Sequence, residues 1–204
     1  MYSPSYNQVE NRAELVEFMR ANNFALLVTG TGGALQGSHL PVMVQERGGG
    51  LVLDMHMAKN NEQWQGFFDD DAMVVFFGPH AYVSPRWYED KERVPTWNYA
   101  AVHAYGVPKV VDDAAAKHAS QRRLVEAMDP DWLPKFDALR PEYVRGMLEG
   151  IVNFEIAVTR IETRWKLSQN RGRDEQTLIA AALERSGDPA GRALAALTRR
   201  HLAG

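Results

Sequence analysis

"FALLVTGTGGALQGSHLPVMVQERGGGLVLDMHM", Phe24–Met57, holds three apolar runs punctuated by glycine. Phe24–Gly30 and Leu51–Met57 are short strand patterns, and Ala34–Arg47 is a longer one between them. The triplet Gly48–Gly50 is a hairpin-like turn. Connections this short join antiparallel neighbours, because a parallel pair needs a crossover of a dozen or more residues. Pro41 interrupts the second run. Proline cannot donate to a ladder, so it predicts an edge strand or a bulge at that point.

Outward from this stretch the same alternation recurs. A helix is expected over about Arg12–Asn22, capped by Asn11 with Glu14 three residues later. Lys59–Phe68 reads as a short helix, Ala72–Gly78 as a buried strand and Ala81–Tyr88 as its successor. Pro95–Val111 reads as one long strand with unequal faces. Trp97, Tyr99, His103 and Tyr105 share one side. The other carries Asn98, Ala100, Val102, Ala104 and Gly106, small enough to admit something flat or another backbone. Helices are expected over Asp113–Met128 and Pro141–Glu149, then a strand over Ile151–Ile161 with Val152, Phe154, Ile156 and Val158 on one face. Helices at about 174–202 end the chain. Six or seven short strands without a βαβ rhythm indicate an antiparallel barrel with helical additions, α+β or mainly β in class. No linker or repeat divides residues 1–204, so a single domain is expected.

Composition narrows the function. The net charge is −3 over 204 residues, which argues against strong non-specific nucleic-acid binding. The absence of cysteine excludes disulfides, zinc–thiolate sites and thiol catalysis. The opening residues carry no signal-peptide pattern, and no apolar run approaches the ~20 residues of a membrane helix. A cytoplasmic protein without a membrane partner is therefore expected. Six histidines include no i, i+4 pair flanking a glutamate, and no metal site is expected. Neither G-x-S-x-G nor a phosphate-binding glycine loop is present.

Three stretches concentrate polar groups. "HMAKNNEQW", His56–Trp64, runs from a strand end into a helix, where Lys59 and free N–H groups suit a phosphate; a capped helix with an exposed lysine has the same pattern. In "VPTWNYAAVH", Val94–His103, Thr96 and Asn98 share a strand face. "RWKLSQNRG", Arg164–Gly172, sets Lys166, Ser168, Gln169, Asn170 and Arg171 at a strand-to-helix junction, as either a ligand contact or a solvated loop. A fourth stretch, "GPHAYVSPRWY" (Gly78–Tyr88), is rich in aromatics.

These stretches, in this order and with "MYSP" at the start and "HLP" at His39–Pro41, resemble the PaiB-type FMN-binding negative transcriptional regulators, from Met1 to about Leu183. The resemblance implies a split β-barrel like that of pyridoxamine-phosphate oxidases, with FMN at the interface of a homodimer. It also implies a repressor role. The FMN-binding candidates it marks are His56, Ala58, Lys59, Asn61, Trp64, Thr96, Trp97, Asn98, Lys166 and Gln169. Lys59 and Glu62 stand where the family pattern has arginine and proline. Lysine keeps the charge but not the bidentate fork. Lys166 and Gln169 are expected to reach toward FMN, with Asn170 or Arg171 fastening the turn. Three activities compete: a flavin-binding regulator, a flavin-dependent oxidoreductase using His56, His80, Tyr82 or His103 near a substrate, and a haem binder. DNA is a weak partner by sequence, since Arg192, Arg199 and Arg200 form only a thin basic stripe.

Overall fold

The computed structural model describes residues 1–31, 33–67, 70–88 and 92–203. Phe68, the end of the helix expected after Lys59, lies outside them. The chain forms two compact units: Met19–Phe76 with Ala104–Ile161, and Met1–Phe18 with Phe77–His103 and Glu162–Gly204.

The first unit carries β1 (Phe24–Thr31), β2 (Ala34–Arg47), β3 (Gly50–Ala58), β6 (Pro108–Val111), β7 (Ile151–Ala157) and the start of β4 (Ala72–Val83). Their order is β6-β7-β3-β2-β1-β4, each pair of neighbours antiparallel. Gly48 and Gly49, at φ 60° and 78°, close the β2–β3 hairpin where only glycine is unstrained.

Pro41 departs from expectation, because β2 lies between two neighbours rather than at an edge. The strand changes partner there. Residues up to Pro41 pair with β1, and from Val42 onward they pair with β3. Val42 restarts the bonding by donating to the Asn23 carbonyl at 2.8 Å. Proline is tolerated because it sits where one ladder ends and the next begins.

Three further boundaries differ. Ala72–Val83 is one strand running through Pro79, not two. The expected strand over Pro95–Val111 breaks at Val107 into β5 (Thr96–Gly106) and β6. The one over Ile151–Ile161 breaks at Val158–Thr159 into β7 and β8 (Arg160–Lys166), the two amides donating instead to Leu51 and Tyr105 carbonyls at 2.9 Å. The small face of β5 has a direct cause at Gly106: a Cβ there would lie 2.2 Å from the Ala157 carbonyl oxygen.

Helices α2 (Ala114–Met128), α3 (Leu133–Asp137) and α4 (Pro141–Glu149) belong to this unit. Asp113 caps α2 by accepting from the Ala116 amide at 2.8 Å. A buried polar knot pins α2 to the sheet. Asp54, on β3, accepts from Ser120 and Arg123 at 2.7 Å and from Gln45 at 3.0 Å, while Asn153 on β7 donates to Ser120 at 3.0 Å. The opposite face of β3, through Leu53, Met55 and Met57, enters the apolar core with Leu27, Val74, Phe154 and Ile156.

The second unit holds most of β5, the end of β4, β8 and two C-terminal helices, α5 (Arg173–Arg185) and α6 (Pro189–Ala203). Trp165, Leu167, Ile179, Leu183 and Leu194 are buried there, and Phe18 packs on Trp165 with ring centroids 4.6 Å apart. Asp188 caps α6 through the Ala190 and Gly191 amides, both at 3.1 Å. Helix α1 (Arg12–Ala21) is capped by Asn11 as expected, at 3.0 Å from the Ala13 amide. Among the described residues no helix is long and apolar enough to cross a membrane.

Candidate functional site

The site candidates form two groups, one in each unit. In the first, Lys59 follows the end of β3, and both its backbone groups are anchored. Its amide donates to the Gly150 carbonyl at 2.9 Å, and the Trp64 indole N–H donates to its carbonyl at 2.9 Å. Its side chain is exposed. Among the described residues no acceptor pairs with its ammonium. Asn61 caps the following turn, accepting from the Gln63 amide at 3.1 Å and donating to the Ser38 hydroxyl at 2.9 Å. Trp64 thus serves the loop rather than a packed core.

That turn is a five-residue 3-10 helix, Glu62–Gly66, not the longer helix expected. So short an element has little macrodipole, and the attraction for an anion rests on the Lys59 charge. Gln63 went unnoticed in the sequence. It is buried, and its amide donates to the Thr29 hydroxyl at 3.1 Å and the Gln36 carbonyl at 3.3 Å, tying the turn to β1 and β2. A glutamine inside a polar turn carries no periodic signal, so nothing in the sequence separates it from its exposed neighbours.

His56 and Ala58 share the β3 face that bears Asp54, away from the core. Ala58 is exposed, and its carbonyl accepts from the Asn61 amide at 2.9 Å. His56 lines a cavity of about 300 Å³ under α3 and α4. Burial lowers its pKa below the ordinary imidazole value, and Asp54 opposes that only in part.

In the second unit, Lys166 ends β8 and points at the start of β5. Its ammonium donates to the Thr96 hydroxyl and, at 2.7 Å, to the Trp97 carbonyl. Both acceptors are neutral. An ammonium has three donors, so one remains for a ligand. Burial lowers the Lys166 pKa, with a smaller push from Arg164. Asn98 is fully buried and bonded to Ser168 at 2.9 Å. Ser168 has φ 69°, the left-handed region that few serines adopt. Gln169 folds back on its own turn: its carbonyl oxygen accepts from the Leu167 amide at 2.7 Å, and its amide donates to the Trp165 carbonyl. Gln169, Asn98 and Ser168 fasten this turn, and so does Arg171, as the sequence suggested for Asn170 or Arg171: its amide donates to the Ser168 carbonyl at 2.9 Å and its carbonyl accepts from the Gln176 side chain of α5 at 2.8 Å.

Trp97 is 55% exposed on the opposite face of β5, in a group with His80 and Tyr82 at ring separations of 6.3 and 6.1 Å. Phe77 is also exposed, 4.7 Å from His80. His103 stands further along β5, its pKa lowered first by burial and then by the N-terminal ammonium. Among the described residues no cluster of three metal-ligating side chains exists.

Each group by itself offers a donor of the kind a phosphorylated, ring-bearing cofactor takes: in one, a Lys59 ammonium with no acceptor among the described residues; in the other, a half-buried ammonium at Lys166 beside the Thr96 hydroxyl. The solved structures that resemble this chain have the same fold. The FAD and haem binding protein from Mycobacterium smegmatis superposes at a TM-score of 0.64 and 15% identity, over 83% of this chain and 78% of that one. The flavocytochrome Anf3 from Azotobacter vinelandii superposes at 0.56 and 14% identity, over 84% and 79%. The fold is the flavin-binding split barrel: an eight-stranded antiparallel sheet with helical additions. The sequence pattern described as "Putative FMN-binding domain" matches residues 1–160. The Protease synthase and sporulation protein PAI 2 of Bacillus subtilis is 35% identical over 97% of this chain and 96% of its own length. An uncharacterized protein of Emericella nidulans is 27% identical, covering 91% of each chain. The chain belongs to the PaiB-type FMN-binding family, whose cofactor is FMN.

Proposed function

We propose that this FMN-binding protein holds its cofactor through Lys166 with Thr96; Lys59, in the other unit, is a separate candidate for a phosphate. The observation that carries this reading is Lys166, a half-buried cation whose partners are two neutral oxygens. A buried charge without a counter-charge is costly, and an electron-rich ligand would offset that cost. FMN, when bound, supplies hydride and electron transfer. The protein's part is to anchor the Lys59 backbone and to hold the Lys166 ammonium in place. Trp97, Phe77 and Tyr82 present an exposed aromatic face that suits a second copy, and a cytoplasmic homodimer is the state we infer.

The name of PAI 2 links that protein to protease synthesis and sporulation, and a regulatory role of this kind is the reading carried to this chain. Direct DNA contact through α6 has little support. Arg199 pairs with Glu184 at 2.7 Å, Arg200 with Glu17 at 3.1 Å, and Arg192 with the Gly187 carbonyl at 2.8 Å. A flavin-dependent oxidoreductase is the second reading, favoured by Lys166 because a nearby cation stabilises added electron density. The test is FMN titration of wild type and Lys166→Ala, followed by NADH or NADPH reduction of the loaded protein. Equal FMN affinity in the two proteins removes Lys166 from the site. Absence of reduction removes the oxidoreductase reading.

A further inference from the structure

The α3–α4 segment has the composition of a core element, yet none of its apolar residues is more than partly buried. Phe136, Leu139, Val144, Met147 and Leu148 recur along it, but neither helix contains a buried residue. An amphipathic helix normally gains its stability by burying that face. Here the face lies over a cavity of about 300 Å³, at the lower end of the range of small-molecule pockets.

Three polar side chains line the same cavity, His56 from β3, Gln121 from α2 and Tyr143 from α4. The Gln121 side-chain nitrogen is buried and has no hydrogen-bond partner among the described residues. Leaving a buried amide donor unpaired is costly, so an arriving acceptor would recover a hydrogen bond there. Among the described residues no lysine, arginine, aspartate or glutamate lines the space. A phosphate or carboxylate would lose its hydration without gaining a counter-charge, so the cavity discriminates against anions. Burial also keeps the His56 imidazole neutral at ordinary pH, which preserves that preference.

We propose that this cavity is a ligand pocket separate from the FMN phosphate site, for a small, uncharged and mainly apolar molecule bearing a carbonyl or similar acceptor for Gln121. The occupant is a small molecule rather than a partner protein because the space is bounded by this unit's own elements and sets the buried Gln121 donor in its wall. The pocket makes α3–α4 a ligand-responsive element, since filling it supplies the contacts that segment lacks.

The test uses the FMN-loaded full chain and the neutral ketone fluorophore prodan. Saturable binding near one molecule per chain with blue-shifted emission is expected. Val144→Trp, which fills the space, should weaken binding at least tenfold. Gln121→Leu should weaken it about three- to tenfold with its thermal unfolding midpoint near wild type. Prodan binding should leave the flavin spectrum and FMN content unchanged. No saturable binding, or equal affinity in both variants, would overturn the proposal. Displacement of prodan by added FMN would overturn it by assigning the cavity to the flavin. A changed oligomeric state in Val144→Trp with unaltered prodan affinity would assign it to a second copy.

Discussion

Asn98 and Ser168, 70 residues apart in sequence, are bonded side chain to side chain at 2.9 Å with both buried. The bond ties the start of β5 to the turn after β8. It also holds Ser168 at φ 69°, so the turn adopts a conformation that its own residues disfavour. Asn98→Ala should destabilise the protein by about 1–3 kcal/mol, because it strands a buried hydroxyl. Ser168→Ala and Ser168→Gly lose the same bond, but glycine relieves a left-handed strain of about 1 kcal/mol. Urea denaturation should therefore rank wild type above Ser168→Gly and Ser168→Gly above Ser168→Ala. The reverse order for the two variants would mean the backbone at 168 is unstrained.

Lys59 gives a prediction of opposite character, since its exposed ammonium has no partner among the described residues. Lys59→Ala should leave the unfolding midpoint near wild type and weaken FMN about ten- to a hundredfold, the range of a charged hydrogen bond. Lys59→Arg should retain or tighten FMN, because the guanidinium restores a two-pronged phosphate contact. Fluorescence titration with free FMN measures both. An unchanged dissociation constant in Lys59→Ala would move the phosphate elsewhere.

Gly106 admits no side chain. Its added Cβ would meet the Ala157 carbonyl oxygen at 2.2 Å and Ile156 at 2.8 Å. Gly106→Ala must push β5 away from β7, at a cost of about 1–3 kcal/mol or more. Reduced soluble yield and a lower melting temperature are expected. A variant as stable as wild type would show that the two strands separate freely.

Acid should loosen the protein through His56 and His103. Burial lowers both pKa values from about 6.5. Above that value each imidazole is neutral whether folded or unfolded, and no penalty arises. Below it the unfolded chain takes up protons that the folded chain resists, so stability falls as pH falls toward the folded values. Melting temperature should drop between pH 7 and pH 5, and less steeply in His56→Phe. Parallel curves for the two proteins would show that His56 titrates normally.

Much of the fold was legible because it rests on local rules. Glycine turns, the Asn11 and Asp113 caps and the alternation of β7 all act within a few residues. The strands over 24–57, α1, α2, α4 and the C-terminal helices stand close to where their patterns predict them. Boundaries failed where a distant partner intervened. β2 tolerates Pro41 because β1 stops there and β3 begins, a fact contained in neither neighbour alone. β7 and β8 separate because the Val158 and Thr159 amides find acceptors on Leu51 and Tyr105.

The chemistry of the site divides the same way. The ordered motifs sufficed to identify the family and its cofactor and to mark Lys59 and Lys166 as candidates, since charge and residue order are properties of the chain itself. Which polar groups remain open to a ligand is a different matter. Asn98, Ser168 and Gln169 look as available as Lys166 on paper, but folding engages the first two with each other and Gln169 with the Trp165 and Leu167 backbone. Gln63 and Gln121 look ordinary, but folding buries the first and the side-chain nitrogen of the second. Composition and periodicity carry the supply of donors and acceptors; only long-range packing determines which of them meet a partner within the protein and which remain unpaired.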